Sequence, residues 1–358
     1  MSDLKSKIAI IGIGQCGSQI ARQFDLLNYN TFYINSSIAD FPDGIEDDTK
    51  FLINGAKGCA KDRQKAIDYG VGSFDEILDR IDNRYPLSSI YYVINSLGGG
   101  TGAGLTPLLL DIASSKNPNK KYNAVIVLPH DDESLLAHDN AKETLKQIID
   151  IQDKLYSIHL LSNNKRKDFL EINKEFSMLL DGIIDHKSHS EKGNIDDEET
   201  EQLITDTGFS VMLEFEDDDF KVGLAKSIKN SIYADWNNDS RYLGMILNDY
   251  HEKNEVIKEV ENEFGIPLTD FTTFNGESNK IIATGISFNK AILRNINDNI
   301  KEKMQKKQVI QEQKGIQDEE MEEVNLSSLM TKKKPVKKNS NVNVMKDLDS
   351  ILNKYKKK

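Results

Sequence analysis

Gly98-Gly99-Gly100-Thr101-Gly102-Ala103-Gly104 is the stretch on which the fold turns. It follows an apolar run at 89–95 that reads as a strand and precedes one at 105–114 that reads as a helix. Five glycines in seven residues would cost an ordinary connection much backbone entropy. In a strand–loop–helix setting the composition predicts a close-fitting cradle of N–H donors for a phosphate, with Thr101 adding a hydroxyl. No Walker pattern G-x-x-x-x-G-K-[ST] occurs in the chain.

Upstream lies a second junction of the same kind. Gly12-Ile13-Gly14-Gln15-Cys16-Gly17 ends a strand at 7–13 and opens a helix at 17–27. Alone it fits the dinucleotide fingerprint G-x-G-x-x-G, or a purely structural tight turn. A dehydrogenase would carry an acid at the end of its second strand to hold a ribose hydroxyl. Here that strand, 31–35, ends in Asn35-Ser36-Ser37. Strands at 123–129 and 157–161, with helices at 61–83 and around 137–154, continue the alternation and predict a parallel, doubly wound α/β sheet.

Downstream, a long helix over about 168–186 carries Ile172, Phe176, Leu179 and Ile183 on one face, as a buried connecting helix does. After an acidic turn at 193–201 the pattern changes. Strands at 210–215, 241–247 and 280–286 alternate with helices near 221–233 and 255–264, which predicts a mixed α/β second lobe. A C-terminal helix follows Phe288, with Ile292, Ile296, Ile300 and Met304 in line. Residues 318–343 read as disordered, and Met345, Leu348, Leu352 and Tyr355 restore a stripe. The expected organisation is a first domain at 1–190 including the central helix, a second at 191–288, a helix at 289–317, and a flexible linker with a basic tail at 318–358.

Net charge is −12, unevenly spread. Residues 331–358 hold ten lysines against Asp347 and Asp349, leaving −20 on the residues before them. An acidic body disfavours nucleic acid, whereas the tail favours acidic partners. The longest apolar runs are strand-sized, so no membrane span is expected. The N-terminal residues lack a signal-peptide core, and the two cysteines, Cys16 and Cys59, make no disulfide scaffold; the expected compartment is a reducing cytoplasm. His186 and His189 sit three apart without a third spaced ligand and read as solvent-facing.

The run 98–104 resembles the GGGTG[ST]G signature of the tubulin and FtsZ family, with Ala103 where Ser or Thr is usual and one hydroxyl contact missing. Gly14-Gln15-Cys16-Gly17-Ser18-Gln19-Ile20 is similar to tubulin's first nucleotide loop, and the element order matches over about 7–300. The resemblance implies a parallel-sheet GTPase domain joined by a long central helix to a second lobe. It implies GTP or GDP held by Gly14, Gln15, Cys16, Gln19, Gly98, Gly99, Gly100, Thr101, Gly102 and Ala103, and a γ-phosphate-sensing loop at 55–61 that includes Gly58. Glu133 falls at a ribose-binding position, and Asn164 and Asn173 at guanine-binding ones, with Asn163 able to take the register of Asn164. Amides suit guanine because they offer a donor and an acceptor together; Asn173 read alone is a helix-surface polar residue. Mg²⁺ is expected beside the phosphates, mostly water-coordinated.

Asn194-Ile195-Asp196-Asp197-Glu198-Glu199 fits the family pattern N-x-D-x-x-[DE]. The resemblance implies that Asp196 and Glu199 act on the GTP of a neighbouring copy in a filament, so that hydrolysis waits for assembly. Without it, the segment is a solvated acidic turn capping the next helix.

Four further runs resemble the TubZ-like branch that partitions plasmids and phages: Gly58-Cys59-Ala60-Lys61-Asp62-Arg63 (Ala60 departing from its GCGK[ED]R), Asn163-Asn164-Lys165-Arg166 with Ile172-Asn173-Lys174-Glu175-Phe176, Leu224-Ala225-Lys226-Ser227-Ile228-Lys229, and Ala283-Thr284-Gly285-Ile286. That branch implies a DNA-bound adaptor of the TubR type. Lys332, Lys333, Lys334, Lys337 and Lys338 would supply salt-dependent attraction to it, while Met345, Leu348, Leu352 and Tyr355 fold on binding. Two alternatives for the tail are a solubilising role and contact with the acidic body of the next subunit. Two other functions fit the sequence: a phage tubulin-like protein that positions genomes without an adaptor, and a dinucleotide-binding enzyme built on 12–17.

Overall fold

A computed structural model describes residues 3–186, 190–248, 251–274 and 276–313. In chain order the elements are α1 (Asp3–Ser6), β1 (Ile8–Ile13), α2 (Gly14–Leu26), β2 (Asn30–Asn35), β3 (Lys50–Leu52), α3 (Arg63–Gly70), α4 (Phe74–Arg84), β4 (Ile90–Ser96), α5 (Thr101–Lys116), β5 (Lys121–Leu128), α6 (Leu135–Asp150), β6 (Ser157–Ser162), α7 (Phe169–Ile184), α8 (Asp197–Ile204), β7 (Gly208–Phe215), α9 (Phe220–Lys229), β8 (Tyr242–Ile246), α10 (Lys253–Phe264), β9 (Thr269–Thr273), β10 (Asn279–Ile286) and α11 (Ala291–Gln313).

The strands form one ten-stranded sheet in the order β3-β2-β1-β4-β5-β6-β7-β10-β8-β9. From β3 to β7 all neighbours are parallel, and β10 runs antiparallel to both β7 and β8. Every residue of β1 is buried, as are the first six of β4, because helices cover both faces of a parallel sheet. Strand order reverses between β1 and β4. Crevices at such switch points, outside the C-terminal ends of the strands, are where doubly wound sheets take ligands.

The two halves of the sheet meet at a narrow seam, where β6 and β7 share only two register pairs, Ser157↔Gly208 and Ile158↔Phe209. Buried polar groups reinforce it. His159 lies 3.2 Å from both the Ser157 and Tyr233 hydroxyls, and Ser157 Oγ donates to Ser210 Oγ at 2.8 Å. Burial lowers the His159 pKa to about 3, so the ring is neutral and its network is one of uncharged hydrogen bonds.

Several elements depart from the sequence reading, among them three that bear on the sheet and its cover. The helix expected over 61–83 is two helices, parted at Val71-Gly72-Ser73. α3 packs on α5 so closely that a Cβ on Gly70 would lie 2.5 Å from Leu105, and α4 restarts to turn Phe74, Ile77, Leu78 and Ile81 inward. The short strand β3 and the strand β9 were not anticipated; β9 carries the polar run Thr-Asp-Phe-Thr-Thr. The stripe at 345–355, the lysines at 332–338 and His189 lie outside the described residues. Among the described residues no helix is long and apolar enough to cross a membrane.

Candidate nucleotide site and the acidic edge opposite it

The glycines of the two loops do more than free the backbone. Gly17 lets α2 touch β4: a Cβ there would lie 2.1 Å from the Ile94 carbonyl oxygen. Gly102 brings α5 against the end of β1, where a Cβ would lie 2.8 Å from the Ile13 carbonyl oxygen. Gly14, at φ +73°, turns the chain where the two loops cross. Glycine here is the condition for the loops to converge at the switch point.

What they enclose is a cleft of about 1100 Å³ at the C-terminal ends of the strands. Its chemistry follows strand order. On the β2 side stand Ser37, Asp40 and Gly58, in the middle Gly14, Gln15, Cys16, Gln19 and 98–102, and on the β6 side Glu133, Asn163, Phe169 and Asn173. No side chain caps α5, so the first N–H groups of that helix stay available to an anion. Thr101 and Ser36 hydroxyls meet at 2.6 Å. Cys16 is partly buried; burial, helped by Glu133, pushes its thiol up to about 12, so it stays protonated.

Asn140 of α6 went unnoticed in the sequence and proves central to this geometry. Its Nδ2 reaches the carbonyls of Gly99 at 2.9 Å, Gly98 at 3.4 Å and Lys61 at 2.8 Å. It thereby ties the glycine loop to the 55–61 loop. That second loop holds Gly58, Ala60 and Lys61 at positive φ of 86°, 50° and 62°. For the two non-glycines this is strained backbone of the sort that collects at binding sites. Lys61 Nζ bonds Glu133 Oε2 at 3.3 Å, while Glu133 Oε1 accepts from the His130 N–H at 3.1 Å.

Two expected ligands lie elsewhere. Ala103 is fully buried in α5, its carbonyl accepting from Arg63 and Thr144. Of the two asparagines after β6, Asn163 lines the cleft and Asn164 does not. Asn164 is turned outward, its amide exchanging bonds with Asp131. Besides Asn140, sequence reading also missed the half-exposed Phe169 beside Asn173, and Asp40, whose carboxyl is raised by burial. An aromatic residue four before an Asn on one helix face was the available signal for Phe169.

The acidic motif sits at the other edge. α7 begins in the cleft and, over 16 residues or roughly 24 Å, ends where Asp181 bonds Lys5 Nζ at 3.0 Å and Tyr29 OH at 2.9 Å, just before β1 and β2 start. Beyond it, Asp196 caps α8. Its Oδ1 accepts from the Glu199 N–H at 2.8 Å, and Glu199 Oε2 accepts from the Asp196 N–H at 3.0 Å. The capping reading is therefore correct locally. Farther along α8, Glu201 pairs at 2.7 Å with Lys121, the first residue of β5, again at the N-terminal edge of the strands. His186 is partly buried rather than solvent-facing, with Nδ1 2.8 Å from the Ile183 carbonyl and Nε2 3.2 Å from that of Ile195, and among the described residues no group of three His, Cys, Asp or Glu could hold a metal.

A doubly wound sheet with a glycine-walled anionic-ligand cleft at its switch point defines a nucleotide-binding α/β protein. Residues 7–170 match the Tubulin/FtsZ family, GTPase domain, and 199–287 match the C-terminal domain of the tubulin-like protein TubZ. Tubulin-like protein TubZ of Clostridium botulinum C phage is 33% identical over 316 residues, 86% of either chain. A tail-truncated structure of Clostridium botulinum phage c-st TubZ superposes with TM-score 0.78 at 31% identity, covering 85% of this chain and 99% of that one. A GTPγS-form protofilament of Bacillus thuringiensis serovar israelensis TubZ shares the fold, with TM-score 0.73 at 16% identity over 86% of this chain and 94% of that one. The chain belongs to the TubZ branch of the tubulin/FtsZ family of GTPases.

Proposed function

We propose that this protein binds GTP in the cleft and hydrolyses it when a second copy, stacked head to tail in a cytoplasmic filament, presents Asp196 and Glu199 to the γ-phosphate. The observation that carries the reading is the length of α7: cleft and acids occupy opposite ends of one subunit, so each is incomplete alone. The N–H groups at the start of α5 and the Thr101 hydroxyl hold phosphate oxygens, Glu133 the ribose, and Asn163 and Asn173 the guanine edge, with Phe169 offering a ring face to the base. Gln15, Gln19 and Gly58 complete the phosphate wall. In the neighbour's acidic motif, one carboxylate orients a water for in-line attack and accepts its proton.

Asp40 is the carboxylate on the β2 side of the cleft, and it fits a Mg²⁺ that is otherwise held by phosphates and water; the ion would neutralise charge on the leaving group. Partial burial raises the Asp40 carboxyl, and such a cation would favour its charged form. The structures of relatives described as GTPγS-form protofilaments and as a two-stranded filament support self-assembly.

On this reading residues 1–190 form the GTPase domain with its central helix, 191–288 the activating lobe, 289–317 the C-terminal helix, and 318–358 a tail. We assign to that tail recruitment of a DNA-bound adaptor and segregation of a plasmid or phage replicon. Turnover per molecule should rise steeply with protein concentration, in step with light scattering. A rate per molecule independent of dilution would refute hydrolysis in trans. Removing 331–358 should leave that turnover intact and abolish recruitment to adaptor-coated DNA.

A further inference from the structure

Next to the cleft is a second hollow of about 500 Å³, walled by the β5–α6 loop, the β6–α7 loop and α11. Asp131 stands where the three meet. Its Oδ1 accepts from Asn164 Nδ2 at 2.9 Å and from Asn299 Nδ2 at 2.8 Å, and its N–H donates to Asn164 Oδ1 at 2.9 Å. His138 Nε2 meets the Asp131 carbonyl at 3.3 Å.

Both loops joined by this knot also carry residues of the cleft wall. Glu133 is two positions beyond Asp131, and Asn163 one before Asn164. The third partner belongs to a packed element, for Ile292, Ile296 and Ile300 bury the inner stripe of α11. Asn299 thus connects a firmly seated helix to the two loops that close on the ribose and base side of the cleft.

We propose that Asp131, Asn164 and Asn299 form a bracket through which α11 senses whether the cleft is filled. The proposal rests on reading the cleft as a guanine-nucleotide site. A ligand that engages Glu133 and Asn163 fixes the loops bearing Asp131 and Asn164, so that Asn299 keeps its bond and α11 stiffens. In the empty protein these partly exposed bonds open to water more often. Linkage makes the effect reciprocal: α11 seated on the bracket pre-orders the cleft and tightens nucleotide binding by the same factor. Asn164 is then a positioning residue, and Asn163 is the one that contacts ligand.

Hydrogen–deuterium exchange on the full chain, diluted below assembly, tests this with GDP, which removes turnover from the readout. GDP should slow exchange in α11 as well as in the cleft loops. Asn299→Ala should abolish the slowing in α11, keep it in the cleft loops, and weaken GDP binding about 5-fold. The swap of Asp131→Asn with Asn299→Asp, which reverses donor and acceptor, should restore both. Unchanged α11 protection in Asn299→Ala, or a swap no better than the single variants, overturns the bracket. Wild-type protein that fails to bind GDP sinks the nucleotide reading itself, a separate result. Asn164→Ala should weaken GDP and inosine diphosphate equally, since positioning ignores the base's 2-amino group. A loss selective for GDP would make Asn164 a base contact and overturn its part in the bracket.

Discussion

The two ends of the parallel strands are built on opposite principles. At the C-terminal end backbone touches backbone: Gly17 lies against Ile94, Gly102 against Ile13, and Asn140 ties down the carbonyls of Gly98, Gly99 and Lys61. At the N-terminal end Asp196 is exposed, and Asp196 and Glu199 bond chiefly each other's N–H groups in a surface cap. A ligand cleft gains from being rigid before its ligand arrives, because ordering is then already done. On the proposed reading the acidic edge serves another copy of the chain, and it can stay solvated until that copy excludes the water. The difference teaches that only one of the two edges is held rigid by backbone packing within a single subunit.

The harshest test of the rigid edge is Gly17→Ala. In an ordinary helix this change stabilises by about 1 kcal/mol. Here the new methyl meets the Ile94 carbonyl, and denaturant unfolding should show a loss of about 3 kcal/mol. For the solvated edge the sharper variant is Glu199→Gln, because glutamine still completes a capping box. Stability should hold while GTP turnover falls at least about 100-fold, roughly 2.7 kcal/mol in barrier. Unaltered turnover would reduce the acids to a cap.

The seam between the halves has a pH signature. An unfolded His binds a proton below about pH 6.5, whereas His159 in the folded protein resists it down to about pH 3. Stability from this group is complete above the upper value and is lost as pH falls through that window, at up to about 1.4 kcal/mol per pH unit. Acid titration of unfolding should become shallower by that amount in His159→Gln. Asn140→Ala should loosen the rigid edge without distorting it, weakening GDP binding about 5- to 10-fold by fluorescence titration, about 1 kcal/mol. Smallest of all, Ala60→Gly relieves a left-handed alanine and should raise thermal stability by about 0.5 kcal/mol.

Much of the molecule was legible before any coordinates. Strand cores, the helix starting at the glycine run, the central helix and the amphipathic stripe of α11 follow from periodicity, since the elements bury one face each. β9 stayed hidden because its Thr-Asp-Phe-Thr-Thr run lacks an apolar alternation, and it is held as a strand by its parallel neighbour β8. The break at Val71-Gly72-Ser73 was missed because the apolar pattern on either side is helical; packing of Gly70 on Leu105 decides where α3 stops.

The sequence by itself determined the class of protein: two glycine loops after strands, an N-x-D-x-x-[DE] motif after a long helix, and a family resemblance that the chain's relatives bear out. Such motifs act through neighbours a few residues away, so they are written locally. Only the tertiary structure decided which of Asn163 and Asn164 faces the cleft, that Asn140 and Asp131 organise the loops, and that α7 separates the acids from their own subunit's cleft. Those outcomes depend on packing between elements many residues apart, where one strand register or one helix length sets which side chains meet.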